Sequence, residues 1–313
     1  MNSTMNNILN WMKLARFPAI FTLLADVLAA LWISDAATVV PLAALVLAGC
    51  GSALLYVSGM ILNDFFDFAE DSRLRPERPL PSGKIALKTA RNAAWGLYLA
   101  GIASLFGASF YAQNQPAVLA CLAGLGGAVW LYDALWKNHF SGPLFMGLCR
   151  GLNWLLLLNF APQETSSQFI LIPLAITVYI TGMTFYSRCE TDSDSEVGVR
   201  RPGVLGMLLG TALMAGGFGI LVPFQNFYVP ILSEQPWRWP ILLLCLGGLL
   251  CFRAVSAYFQ GCTAVRRVMR QAIMMIFFLD AALVFAVCGI SYAVGILLLM
   301  LPACVLGRWI QST

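Results

Sequence analysis

Residues 41–71 read PLAALVLAGCGSALLYVSGMILNDFFDFAED. The stretch 41–62 carries no charge at all. A bilayer core of about 30 Å needs about 20 apolar residues in a helix, and this run supplies them. It ends abruptly in Asn63, Asp64, Asp67, Glu70 and Asp71. One helix therefore joins a membrane interior to an acid-rich edge, and the rest of the chain repeats the apolar part of that pattern.

Of 313 residues, 59% are hydrophobic and 11% charged, and mean hydropathy is +0.77. Soluble domains run about 45–50% apolar and about 25% charged. So little charge does not cover a water-facing surface, and lipid must face much of the chain. Further helices are expected near 17–33, 90–111, 117–136, 143–161, 169–188, 203–222, 238–257 and 271–288. The stretch 290–307 is a tenth helix or the second half of a long, bent ninth, with a weak turn signal at Gly289 and Ser291–Tyr292. The expected fold is all-α, a polytopic bundle of nine to ten transmembrane helices.

The basic residues are lopsided. Alternate connections gather 17 of the 19 Lys and Arg residues, and the opposite loops hold none until Arg238. The positive-inside rule places the basic side, with the N-terminus, in the cytoplasm. In a bacterial cell that is the inner membrane. Residues 1–10 lack the basic start and small-residue cleavage site of a signal peptide, so the first helix is read as retained. No basic tail or stripe suits nucleic acid. Nine cysteines without a C-x-x-C pair, mostly in apolar runs, read as small buried hydrophobes. A lone histidine, His139, makes a His-based metal site improbable.

Nine of the 15 acids fall in two cytoplasmic clusters, at the ends of the second and sixth helices. Each is followed by basic residues and a Pro/Gly stop, Arg78-Pro-Leu-Pro-Ser-Gly83 and Arg200-Arg-Pro-Gly203. This outlines one domain over 1–313 with pseudo-repeated halves of about 1–140 and 141–313. If the second helix continues through its cluster, Asn63, Asp64, Asp67 and Asp71 fall within an arc of about 100°. Close carboxylates repel unless a cation sits among them. Magnesium suits such a set, because it takes one or two carboxylates plus waters and substrate phosphates. On a helix, Glu190 and Asp194 of the second cluster would share a face and Asp192 would point away. Two acidic clusters with cations beside them fit a diphosphate held through metal, with Arg78, Arg200 and Lys137 for its free oxygens.

At these residues the chain resembles the UbiA superfamily of intramembrane prenyltransferases. The family pattern N-D-x-x-D-x-x-x-D is met by Asn63, Asp64, Asp67 and Asp71, and Arg78-Pro-Leu-Pro-Ser-Gly83 matches a second signature. The family's D-x-x-x-D followed by G-V-K appears as Glu190-x-x-x-Asp194 and Gly198-Val199-Arg200. Both departures keep the charge, although Arg is not a simple stand-in for Lys. Tyr132 and Lys137 resemble a Tyr…Lys element after the fourth helix, and Arg16 a basic residue at the start of the first. The phrases Met60-Ile-Leu-Asn-Asp64 and Arg75-Pro-Glu-Arg-Pro-Leu-Pro-Ser-Gly83 are most similar to UbiA-like proteins encoded in bacterial ebo operons.

The resemblance implies a helical bundle around a central cavity capped by the two acid loops. It implies Mg2+ held by Asn63, Asp67, Asp71, Glu190 and Asp194, and catalytic roles for Asp64, Asp67, Asp71 and Asp194. The substrates implied are a polyprenyl diphosphate donor and a lipophilic or aromatic acceptor. Mg-assisted ionisation would give an allylic carbocation that the acceptor attacks. Asp26 would orient an acceptor, since the family's first helix borders the cavity; a structural hydrogen bond to a neighbouring helix is the alternative. Arg150 and Asn153, one turn apart, would reach the diphosphate or the acceptor. Asp280 is a further intramembrane carboxylate. The competing function is a transporter or accessory protein on the same fold, exporting a metabolite precursor.

Overall fold

The computed structural model describes residues 3–136, 139–162, 169–188, 200–221, 235, 237–257 and 262–310. Among these residues there is no strand. The polar N-terminus forms a helix of its own, α1 (Ser3–Leu14), which meets α2 (Phe17–Ile33) at a bend of 53°. After a turn of helix, α3 (Ala36–Val39), come α4 (Leu42–Phe66), α5 (Phe68–Leu74), α6 (Leu87–Ser109) and α7 (Gln115–Leu131). A π turn over Tyr132–Trp136 extends α7. Then follow α8 (Gly142–Leu158), α9 (Leu171–Ser187), α10 (Arg200–Leu221), α11 (Arg238–Ser256), α12 (Cys262–Cys288), α13 (Ile290–Leu298) and α14 (Met300–Trp309).

The long helices close a ring. Passing round it, α2 packs on α4, α4 on α6, then α7, α8, α9, α10, α11 and α12 in order, and α12 returns to α2. Contacts of α2 with α8 and of α9 with α12 cross the middle, and α13 and α14 lie outside against α2. Hydrogen bonds between helices carry the polar groups that lipid does not satisfy. Ser58 Oγ donates to the Ala94 carbonyl at 2.9 Å, Tyr179 to Ala272 at 2.8 Å, and Tyr186 to Ala254 at 3.0 Å. Trp239 Nε1 donates to Ala282 at 2.9 Å. Large apolar side chains point outward, with Leu42, Phe252 and Ile290 exposed by 75%, 72% and 67%. On a water-soluble protein such a surface would aggregate. Here it marks the lipid face of an integral membrane protein.

Two seams are set by glycine. A Cβ on Gly206 would lie 2.6 Å from Gly182 Cα, so α9 and α10 touch backbone to backbone. A Cβ on Gly51 would lie 2.7 Å from the Leu105 side chain and 3.1 Å from the Gly101 carbonyl, which fixes how closely α4 approaches α6. Small residues at such crossings let helices approach in lipid.

The expected nine to ten spans are not confirmed by length and composition. Among the described residues five helical stretches are long and apolar enough to cross alone, and the bent α1–α2 pair makes six. Gly142–Leu158 and Leu171–Ser187 are apolar but shorter. A helix of 17 residues rises about 25 Å, short of a bilayer core of about 30 Å. In α6 the first turns carry Lys88, Arg91 and Asn92 and the body is rich in Ala, Gly and Ser, which lowers its hydropathy. The last apolar stretch, Ile290–Arg308, is long and apolar enough to cross by itself and is set off by Gly289 at φ 92°.

Candidate functional site

The acidic run sits where α4 becomes α5. Asp67, at φ −82° and ψ 0°, joins the two helices without breaking the i→i−4 ladder. Its N–H donates to the Asn63 carbonyl at 3.1 Å, Asp71 N–H to Asp67 at 2.8 Å, and Arg75 N–H to Asp71 at 2.8 Å. The residues stacked along this face are therefore Asn63, Asp67, Asp71 and Arg75, one turn apart, as expected for a helix carried through the cluster.

Asn63, Asp64 and Asp71 are buried, and each has a partner. Arg78 Nη1 lies 2.6 Å from Asp71 Oδ2 and 3.7 Å from Asp64 Oδ1. Arg16 reaches Asp64 Oδ1 at 3.5 Å, and Arg75 reaches Asp71 Oδ1 at 4.0 Å. The guanidiniums thus meet the need for positive charge that the acids create. Arg78 is held by the turn after it. Ser82 donates through N–H (3.0 Å) and Oγ (2.7 Å) to the Arg78 carbonyl, and Gly83 closes the turn at φ 71°. Leu80 and Ile85 plug this turn into a small apolar cluster with Leu14, Ile61, Leu62, Ala90 and Ala94.

Arg16 caps the start of α2 in the left-handed region, φ 46° and ψ 46°. A non-glycine residue there is strained by about 1–3 kcal/mol. The strain accompanies the bend between α1 and α2 and the pairing with Asp64. Tyr132, buried at the end of α7, lies within electrostatic reach of Arg16, Asp67 and Asp133. Arg188, the last described residue before the second acidic cluster, also acts on Tyr132, and its Nη2 donates to the His139 carbonyl at 2.8 Å.

One residue of this site escaped the sequence. Asp133, 5% exposed, accepts from Asn63 Nδ2 at 3.3 Å. The π turn places it there, adding a residue to the end of α7 and turning the acid toward α4. The available signal was an acid inside an otherwise apolar window, beside Tyr132.

Deeper in the bundle, Asp26 and Arg150 pair with each other. Arg150 Nε donates to Asp26 Oδ2, Nη1 to Thr22 Oγ1 at 3.2 Å, and Nη2 to the Thr22 carbonyl at 2.7 Å. All three guanidinium nitrogens are thereby engaged. The two side chains singled out separately in the sequence form one unit across α2 and α8. Asn153, one turn on from Arg150, is 3% exposed and its Nδ2 has no protein partner.

Lys137, Glu190 and Asp194 lie outside the described residues, as does the side chain of Arg200. Among the described residues no three Asp, Glu, His or Cys side chains are grouped closely enough to hold a metal by themselves. The donor set still suits magnesium, because Asn63, Asp67 and Asp71 lie on one face and magnesium completes its shell with water and phosphate.

A closed ring of lipid-facing helices with an acid and guanidinium cluster at one end of its core defines the class, an integral membrane helical bundle. The UbiA prenyltransferase family model matches residues 20–267, and the chain belongs to that family. It is 30% identical over 225 residues to the 4-hydroxybenzoate octaprenyltransferase of Nitrosococcus oceani, covering 67% of this chain and 74% of that one. The fold is similar to a solved digeranylgeranylglyceryl phosphate synthase, with TM-score 0.61, 19% identity, and coverage of 91% of this chain and 99% of that one. It is also similar to a UbiA homolog from Archaeoglobus fulgidus bound to DMAPP and Mg2+, with TM-score 0.58, 13% identity, and coverage of 87% and 99%.

Proposed function

We propose that this chain is a membrane-embedded prenyltransferase, moving a polyprenyl group from a diphosphate donor to a lipophilic or aromatic acceptor. The observation that carries this reading is the convergence of Arg16 and Arg78 on Asp64 and Asp71 at the end of α4. Acids and guanidiniums interleaved at a membrane edge suit a substrate with a charged diphosphate and a lipid-soluble tail. The UbiA homolog solved with DMAPP and Mg2+ supports the same donor chemistry here.

Asn63, Asp67 and Asp71, with Glu190 and Asp194, would hold Mg2+. When bound, the metal would offset the carboxylate charge and stabilise negative charge on the departing diphosphate. The chain's own residues do the rest. Arg78, Arg200 and Lys137 bind free phosphate oxygens, and Arg16 and Tyr132 flank them. Asp133 orients the Asn63 amide. The apolar ring excludes water while the donor's C–O bond breaks and the allylic cation meets the acceptor, which then loses a proton. The basic and acidic ends face the cytoplasm, in a bacterial cell the inner membrane, with the N-terminus on the same side.

The test is purified protein incubated with labelled prenyl diphosphates and a panel of acceptors, with and without magnesium. Metal-dependent formation of a prenylated product supports the reading. A second reading, transport of a metabolite precursor on the same fold, draws on the buried charges Asp26, Arg150 and Asp280, since charged side chains inside the membrane mark ion and substrate paths. Vesicle flux without magnesium that survives Asp67→Ala would favour it.

A further inference from the structure

Asp280, on α12, is 0% exposed, and no protein donor reaches either of its carboxylate oxygens; the group within hydrogen-bonding reach is the Asp26 carboxyl. Asp26, on α2, is equally buried, and no protein donor reaches its Oδ1. Ten residues separate Arg16 from Asp26, which puts Asp26 about 15 Å further along the helix, away from the acidic edge. Asp26 and Arg150 are the charged groups that act on Asp280 among the described residues. Tyr56 on α4 faces Arg150 and Asp26, and Tyr179 on α9 has its hydroxyl committed to the Ala272 carbonyl. Neighbouring α13 carries no charged residue.

Two carboxylates therefore share one guanidinium, and that guanidinium is already engaged by Asp26 and Thr22. With both acids ionised the cluster holds one net negative charge inside the bilayer, which is strongly unfavourable without a counter-charge. The two carboxyls face each other with no protein donor on Asp26 Oδ1 or on either Asp280 oxygen, so a cation between them has carboxylate oxygens on both sides. A cavity of about 10 Å³ borders Arg150, Asp280 and Tyr179, with Ile176, Met214 and Ile276 as its apolar wall. That is room for about one water-sized particle.

We propose that Asp26, Arg150 and Asp280 form a binding site for one monovalent cation, a proton or a sodium ion, in the bundle core and separate from the acidic edge. One added positive charge between the two carboxyls makes the cluster neutral. The site stands whether or not the chain transfers prenyl groups. Asp280→Asn keeps the shape and makes the cluster permanently neutral, so it should fold and lose the response to the cation.

The experiment uses full-length protein in nanodiscs, as wild type, Asp280→Asn and Asp26→Asn. Infrared spectroscopy in sodium-free buffer reads the carbonyl stretch of a protonated carboxyl group. Thermal unfolding in sodium chloride against choline chloride at equal ionic strength reads sodium. If the ion is a proton, the wild type shows a protonated-carboxyl band that Asp280→Asn lacks, and sodium has no specific effect. If it is sodium, Tm of the wild type rises with sodium concentration over choline and that of Asp280→Asn does not. A wild type with neither the band nor a sodium-specific rise overturns the proposal, even where a variant fails to fold. So does a band or rise that survives unchanged in both folded variants.

Discussion

Arg78 Nη1 meets Asp71 Oδ2 at 2.6 Å across the turn that ends α5, while remaining 3.7 Å from Asp64 Oδ1. One guanidinium thus ties together two acids about two turns apart on the α4–α5 helix. All three side chains are nearly shielded from solvent, with side-chain exposures of 11% for Arg78, 6% for Asp71 and 10% for Asp64. Removing one partner of such a group leaves an uncompensated buried charge, at about 3–5 kcal/mol. Arg78→Ala should therefore lower Tm by several degrees. It should also weaken binding of geranyl diphosphate by about tenfold or more, the equivalent of one charge-assisted hydrogen bond. Scanning calorimetry and equilibrium binding check the two effects, and Arg78→Lys should recover stability more than affinity, because only Arg offers a fork.

Asp133 is expected to act through Asn63. Asp133→Ala removes the carboxylate that accepts from the buried Asn63 amide. Loss of such an outer partner lowers metal affinity by about 10–100-fold. A magnesium titration of product formation should show a raised half-saturation, with turnover at saturating magnesium little changed.

The expected ligands differ from the surrounding charges in one respect, which is that they should not be replaceable. Asp67→Ala and Asp194→Ala should each reduce turnover by about 100-fold or more, comparable with removing one group that stabilises developing charge. Glu70→Ala, on an exposed residue of α5, should leave turnover within about twofold, since solvated surface charges contribute little. Steady-state product assays separate the three.

The α9–α10 seam gives a prediction about stability alone. In Gly182→Ala the new Cβ would lie 2.5 Å from the Met207 backbone nitrogen, and neither backbone can yield without moving a helix. Overpacking of this kind costs about 1–3 kcal/mol. Tm should fall, whereas Gly216→Ala, which meets nothing within 4 Å, should leave it unchanged.

The helices were legible wherever an apolar run of membrane length stood between polar connections, and α2 begins and ends where its composition indicates, at Phe17 and Ile33. The acidic face was legible too, because Asn63, Asp67 and Asp71 repeat at one-turn spacing. What could not be read were pairings across the chain. Asp26 and Arg150 stand 124 residues apart, and only the packing of α2 on α8 joins them. Asp133 looks like a solvated charge at a helix end until the π turn and the approach of α4 bury it. Helix α1 was missed because it is short, polar and lacks the apolar length of a span, although Leu14 at its end is fully buried.

The central claim is that α4 and its acidic continuation hold a diphosphate with the help of a divalent metal. Isothermal titration of the purified wild type and Asp67→Ala with geranyl diphosphate, each with and without magnesium, tests it most directly. Saturable binding by the wild type in magnesium alone, lost in Asp67→Ala, is the predicted result. Equal affinity without magnesium, or binding undiminished in Asp67→Ala, would contradict it.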